Sequence, residues 1–377
     1  MSSAPPKGKG PPRVPSLPSG ETGAAGTATS GTDALKPGDL LDGRYVLQTP
    51  IGEGGVGLIF RAIQFKVQRP VAVKFIQREM VGEHSLKSRF EREALALAAL
   101  AHPNIVRLQD YGITRGNPFL VMEYIEGRTL RQLLTDEGGF LTQRRALALT
   151  RQMLYALAYA HERGIVHRDL KPANLIVQEL PQQPEHLKVL DFGFAKFLPG
   201  SDLDLGGQLT RAGHTFGSPP YMSPEHATGS AVDGRSDLYS VGILLFEMLT
   251  GTRPFEGEIQ ELLRHHLLSP VPRLVERRPE LAAQPELQEL LDRALAKPRD
   301  QRFADAGEFV RAVAAIEAAS DQDSALATVS YNPRRSHAPS LSEVSRVCLA
   351  FAGGLFGRAL PRVLTVMVRR LLGRKAA

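Results

Sequence analysis

Cysteine is almost missing from this chain. Cys348 is the only one in 377 residues, so no disulfide can form within it, which fits a reducing cytosol. The N-terminus has no apolar stretch of the kind a secretory leader needs, and a cytoplasmic protein is expected. The apolar stretch "VCLAFAGGLFG" is short and is followed by Arg358, Pro361 and Arg362, so it does not read as a spanning helix. Excess charge is missing from the main body too. The formal net charge is +6, but residues 341–377 carry Arg346, Arg358, Arg362, Arg369, Arg370, Arg374 and Lys375 against Glu343 alone. That segment accounts for the whole excess, so a basic tail rather than a basic domain sets the pI, and nucleic acid is not an expected partner.

Apolar residues make up 42% and charged residues 23%, ordinary values for a soluble globular protein with a buried core. Residues 1–38 are built from Pro, Gly, Ser, Thr and Ala, a composition that favours a disordered extension. From "DGRYVLQTPIG" onward, short strand-like runs alternate with turn residues: "RYVLQ", "GLIFRAIQ" and "RPVAVKFIQ". The period then becomes helical, with Leu86, Phe90, Leu97 and Leu100 on one stripe that closes at "HPN". A strand pair around "IVRLQDYG" and "PFLVMEYIEG" follows. Beyond it the chain is mainly helical, with amphipathic segments near 142–162 and 259–268. "SDLYSVGILLFEMLTG" is apolar around most of its circumference and predicts a helix in the middle of a domain. "DAGEFVRAVAAIEAA" predicts the last domain helix, and residues 319–340 read as a linker to the 341–377 tail. No internal repeat is present. The expected architecture is a small strand-rich lobe with one helix, then a larger helical lobe.

"IGEGGVGLIF" contains Gly52, Gly54 and Gly57 in a Gly-x-Gly-x-x-Gly pattern, which both dinucleotide-binding turns and phosphate-covering loops use. The first use needs a helix to begin at Gly57. "LIFRAIQF" reads as a strand instead, so the loop is a hairpin, either a plain turn or a lid over phosphates. Lys74 closes the apolar run "VAVK", where a lysine either reaches solvent or meets an anion. Glu93 lies on the apolar stripe of the next helix, where a carboxylate needs a partner, and Lys74 is the natural one. "HRDLKPANLIV" gathers Asp169, Lys171 and Asn174, which offer a proton acceptor, a cation and an amide oxygen suited to a hard metal ion. Asp191 in "VLDFGFAK" is either a turn residue or a metal ligand.

Taken in order, "GEGGVGLI", "VAVK", "FEREA", "HRDLKPAN", "DFG", "SPE" and "DLYSVG" resemble a protein kinase domain of the bacterial Hanks-type serine/threonine group. The resemblance implies an α+β fold of two lobes over residues 39–318: a small antiparallel-sheet N-lobe with one helix (39–124) and a larger, mainly helical C-lobe (125–318). It implies ATP and Mg²⁺ as cofactors and protein Ser/Thr hydroxyls as acceptors. Ile51 and the glycines Gly52, Gly54, Gly55 and Gly57 would cover the phosphates, and Lys74 would bind them with Glu93 holding it. Ile59, Ala72 and Ile176 would enclose adenine, with Met122, Glu123 and Ile125 at its edge. Asp169 would orient the substrate hydroxyl, Lys171 would stabilise the transferring phosphoryl group, and Asn174 and Asp191 would hold Mg²⁺. Glu225 would pair with Arg302, Asp237 would brace the loop at 167–174, and Ser218 would contact Asp169 and Lys171. A pseudokinase scaffold is the competing class; it would lack part of the set Lys74, Glu93, Asp169, Asn174 and Asp191, and all five are present.

Arg168 beside Asp169 implies control by phosphate on the 191–225 loop, with Thr210 and Thr215 as autophosphorylation candidates. After Pro361, Leu364, Met367, Val368 and Leu371 share one helical stripe flanked by arginines. Such a segment lies on an anionic membrane, docks on a partner, or packs on the chain's own helical lobe.

Overall fold

The structure is a computed structural model that describes residues 35–54, 57–76, 85–181, 183–192 and 218–330; the side chains of 53–54, 85–89, 93, 183, 282–283 and 321–330 fall outside that description. The chain divides into two units. Unit 1 comprises residues up to Ala98 together with Leu108–Tyr124, and unit 2 comprises Ala99–Arg107 and the chain from Ile125 onward.

Unit 1 is one antiparallel sheet and a helix. Its strands are β1 (Leu40–Leu41), β2 (Tyr45–Gly54), β3 (Gly57–Gln64), β4 (Arg69–Phe75), β5 (Leu108–Thr114) and β6 (Asn117–Glu123), in the order β1-β2-β3-β4-β6-β5, and α1 spans Ser85–Ala98. β2 pairs antiparallel with β3 out to Gly54 opposite Gly57, so the glycine-rich stretch is a hairpin. Two register shifts flank Pro50, which has no N–H to give the ladder. The β5–β6 hairpin turns on two residues, Arg115 and Gly116, both at positive φ, the backbone of a type I′ turn.

Side chains alternate across the sheet with period two. Phe60, Ala62, Val71, Val73, Phe75, Phe119 and Val121 therefore share one face and form a buried cluster with Leu41, Tyr45 and Leu47. The helical stripe is shorter than its spacing suggests. In α1, Phe90 and Ala94 are buried and Leu97 half-buried, while Leu100 is buried beyond the helix end. Phe90 meets Tyr111 of β5 edge-on, at 6.0 Å between ring centroids.

Unit 2 begins, after Ile125, with β7 (Arg128–Thr129), α2 (Leu130–Asp136) and α3 (Gln143–His161). Then come β8 (Leu175–Leu180) and β9 (Gln183–Val189), which with β7 make a three-stranded sheet. The helices α4 (Pro224–Ala227), α5 (Gly234–Thr250), α6 (Ile259–Leu268), α7 (Leu274–Arg277), α8 (Pro285–Ala294) and α9 (Ala306–Ser330) follow. Thr129 and Gln132 form a reciprocal capping box at the start of α2. α5 is buried on nearly every side, as its composition requires, and only Gly234, Arg235 and Glu247 are not fully covered. α9 runs through Ser330, past residue 318, into the stretch whose Ser and Asp content reads as a linker. "AIEAASDQDSALATVS" has neither Pro nor Gly, and its alanines favour continuation of the helix. Among the described residues no helix is long and apolar enough to cross a membrane.

Candidate active site

The sheet of unit 1 sorts the candidate residues by parity. Ile59 lies opposite Lys74, Ala72 opposite Met122, and Gly52 opposite Ile59. Cross-strand partners and every second residue share a face. Gly52, Ile59, Ala72, Lys74 and Met122 therefore all stand on the face opposite the phenylalanine core. Lys74 is 4% exposed and Met122 7%. Glu123 closes β6 opposite Val71 and is half-buried, whereas Ile51 is exposed.

Two glycines of the hairpin differ in kind. A Cβ on Gly57, where φ is +148°, would sit 1.7 Å from the Phe75 carbonyl oxygen, so only glycine fits. A Cβ on Gly52 would meet nothing nearer than the Ile59 side chain at 3.8 Å. Gly57 is thus required by the backbone crossing at Phe75, a reason invisible in the motif. Gly54 is described only through its pairing, and Gly55 lies outside the described residues. The Glu93 side chain lies outside them too, and with it the expected pairing to Lys74.

In unit 2 the loop after α3 has an irregular backbone, with Arg168 at φ +68°, and Asp191 beyond β9 has φ +58°. The conformation at Arg168 needs outside support, and Asp237 of α5 supplies it. Its Oδ2 accepts from His167 N at 2.8 Å and its Oδ1 from Arg168 N at 2.9 Å, while His161 Nε2 stands 2.7 Å from Oδ2. Burial by itself would raise the Asp237 carboxyl. The hydrogen bond and charge of His161, with the His167 contacts, outweigh burial and hold it below the usual carboxylate range. His167 is fully buried. Its Nε2 lies 2.7 Å from the Leu190 carbonyl and must donate there, which leaves Nδ1 to accept from Asp169 N at 3.3 Å.

Those supports fix Asp169. Lys171 Nζ donates to its Oδ2 at 2.7 Å, and Asn174 Nδ2 donates to its backbone carbonyl at 2.8 Å. Its second oxygen, Oδ1, is buried and has no hydrogen-bond partner among the described residues. Because the Asn174 amide nitrogen is engaged at Asp169, its oxygen is left as the free acceptor. Leu190 N donates to Asn174 O at 2.8 Å and Leu175 pairs with Val189, so the β8–β9 ladder carries Asn174 and Asp191 on adjoining chain ends. Ile176, opposite Lys188, is half-buried in the same ladder.

Glu225 and Arg302 form a two-pronged ion pair, 2.7 Å on each prong, and Ser236 also donates to Glu225. Burial opposes ionisation of Glu225, and these partners overcome it. Ser218 departs from expectation: among the described residues its hydroxyl makes no hydrogen bond to Asp169 or Lys171, which bond each other instead. Thr210 and Thr215 lie outside the described residues. The sequence reading passed over His161 and the imidazole of His167. Both look like ordinary helix-end and loop histidines until Asp237 and Leu190 are brought against them.

A family model for the protein kinase domain matches residues 45–313. Serine/threonine-protein kinase Pkn3 of Myxococcus xanthus is 40% identical over 276 residues, 73% of this chain and 50% of its own length. Serine/threonine-protein kinase Pkn2 of the same organism is 37% identical over 288 residues, 76% of this chain and 34% of its own. The chain thus spans half or less of the length of these curated relatives. The crystal structure of the Mycobacterium tuberculosis PknI kinase domain superposes with a TM-score of 0.58 at 27% identity, covering 75% of this chain and all of that one. Motif order, the fold of each unit and these likenesses agree: the chain belongs to the protein kinase family, in its bacterial serine/threonine branch.

Proposed function

We propose that this chain is an active protein serine/threonine kinase of the cytoplasm, with residues 39–318 as its kinase domain and phosphorylation of itself in trans among its reactions. The observation that carries the reading is the state of Asp169: one carboxylate oxygen is held by Lys171, and the other is buried with no partner among the described residues.

ATP and Mg²⁺ are the cofactors of this family. The donors of unit 2 fit the ion, because Asn174 and Asp191 offer an amide oxygen and a carboxylate, both hard ligands. No cluster of three or more His, Cys, Asp or Glu is found among the described residues, and Mg²⁺ needs only one or two carboxylates beside substrate phosphates. When bound, Mg-ATP supplies the phosphoryl group and the charge neutralisation that its transfer requires. Asn174 and Asp191 are the residues assigned to hold the metal. In unit 1, Lys74 is assigned to the phosphates and Gly52, Gly54, Gly55 and Gly57 to covering them. Ile51 is grouped with those glycines, and Ile59, Ala72, Met122, Glu123, Ile125 and Ile176 are assigned to the nucleotide base.

Asp169 Oδ1 would accept the hydrogen bond of the incoming Ser or Thr hydroxyl, align its oxygen and receive its proton as the new P–O bond forms and the phosphoryl group's bond to the leaving ADP breaks. Lys171 donates toward the charge that builds on the phosphoryl oxygens. A pseudokinase would retain the fold without this open oxygen and its neighbouring cation. Phosphate transfer to a generic Ser/Thr acceptor, measured by mass shift, should fall about 10²–10⁴-fold in Asp169→Asn. Undiminished transfer would overturn the role of Asp169. Intact-mass measurement after incubation with Mg-ATP tests the self-phosphorylation, with Thr210 and Thr215 as the assigned acceptors.

A further inference from the structure

A groove of about 1160 Å³ opens in unit 2 between α3, α8 and α9, apart from every residue assigned above. Leu147, Ala148, Leu290, Phe303, Ala315 and Ile316 give it an apolar floor. Its volume exceeds the roughly 300–1,000 Å³ of ordinary small-molecule sites. Its lining runs from Thr142 to Arg151 along α3 and from Ala312 to Ser320 along α9, about 12–14 Å of each helix, and Gln143 Nε2 donates to Ser320 Oγ at 3.0 Å between them. Those dimensions suit two turns of a helix.

The lining is not finished by its own contacts. Gln284 Oε1 is buried there without a partner. Arg151 Nε lies 3.0 Å from Glu317 but its N–H is not aimed at it, so that donor is unsatisfied as well. The lining holds three arginines and three glutamates, and their pairing is uneven. Arg151 pairs with Glu317 and Arg293 with Glu308, whereas Glu286 and Glu289, exposed one turn apart on α8, have no ion pair among the described residues. Among the described residues Arg144 is the one lining cation without an ion pair, against these two carboxylates in the count.

We propose that this groove seats the chain's own basic amphipathic segment, with Leu364, Met367, Val368 and Leu371 on its floor and Arg369 and Arg370 toward Glu286 and Glu289. The stripe from Leu364 to Leu371 spans about 10 Å as a helix and matches the groove in length. The connection reaches. α9 borders the groove and is described to Ser330, and a flexible chain of the length of 331–363 would cover about 30 Å. Tethering at that length gives an effective concentration near 1 mM, so a contact of only about 0.1 mM affinity is closed roughly nine-tenths of the time.

Hydrogen exchange on the full chain tests this. Amides of 142–151 and 284–293 should exchange about tenfold faster in Leu364→Asp/Leu371→Asp than in the wild type. Glu286→Arg/Glu289→Arg should do the same, and adding Arg369→Glu/Arg370→Glu should restore the protection, which separates docking from a folding defect. Protection must be unchanged on tenfold dilution; if dilution removes it, a second copy is the occupant and the proposal fails. It fails equally if the tail substitutions leave exchange unaltered, whether or not they abolish sedimentation with phosphatidylserine/phosphatidylcholine vesicles.

Discussion

Among the described residues, unit 1 buries one charged or polar side chain, Lys74, whereas unit 2 buries Asn104, His167, Asn174, Asp237, His266 and Arg302 among others. The contrast follows from how each unit aims its functional groups. In unit 1 a regular ladder does the aiming, because pairing β3, β4 and β6 in register sends Ile59, Ala72, Lys74 and Met122 to one face automatically. In unit 2 the groups sit on irregular backbone, which side-chain hydrogen bonds must hold in place. A regular scaffold spreads the task over many equivalent bonds; an irregular one concentrates it in a few.

The largest effect should come from the centre of the unit 2 network. Asp237→Ala removes the acceptor for two backbone N–H groups and the partner of His161, and should cost about 3–5 kcal/mol by urea denaturation. Phosphate transfer should fall with it. Unit 1 has a matching weak point that is steric rather than polar. Gly57→Ala forces a Cβ into the Phe75 carbonyl and should cost about 3 kcal/mol. A smaller loss than this would mean that the hairpin shifts freely, and the ladder would then not be the rigid element described.

Sensitivity to pH should likewise reside in unit 2. Burial first, then the nearby Lys297 charge, lowers the His266 imidazole to about 4, from an ordinary 6.5. Below pH 6.5 the unfolded chain takes up a proton that the folded one refuses, so stability is full above that pH and declines as pH falls toward 4. Between pH 7.5 and pH 5 the loss from this residue should be about 2 kcal/mol. Denaturant titrations should show the slope in the wild type and a flatter one in His266→Gln. The smallest effect belongs to Gly52→Ala, within about 0.5 kcal/mol of the wild type because its Cβ finds room. Any change in the KM for ATP in that variant then reports nucleotide handling rather than folding.

Much of this could be read along the chain. Alternation in "GLIFRAIQ" and "RPVAVKF" revealed the strands, and the all-round apolar character of "DLYSVGILLFEMLT" revealed the buried helix. Asp169, Lys171 and Asn174 stood out as candidates because polar residues crowd beside an apolar run, and Asp191 became one through the resemblance. Other features were not legible. The tip of α9 was masked by Ser and Asp, whose composition suits a linker as well as a surface helix. Ser218 was expected to reach Asp169 and Lys171, and among the described residues it bonds neither, a placement that no local pattern encodes.

The sequence by itself determined which residues alternate, where the chain turns and which chemical groups are at hand, since these depend on neighbours within a few positions. Tertiary structure alone decided that Gly57 must be glycine, that His161 and two backbone amides converge on Asp237, and that one buried Asp169 oxygen has no partner among the described residues. Each of these depends on atoms distant along the chain meeting within a few ångströms, and local periodicity carries no record of that.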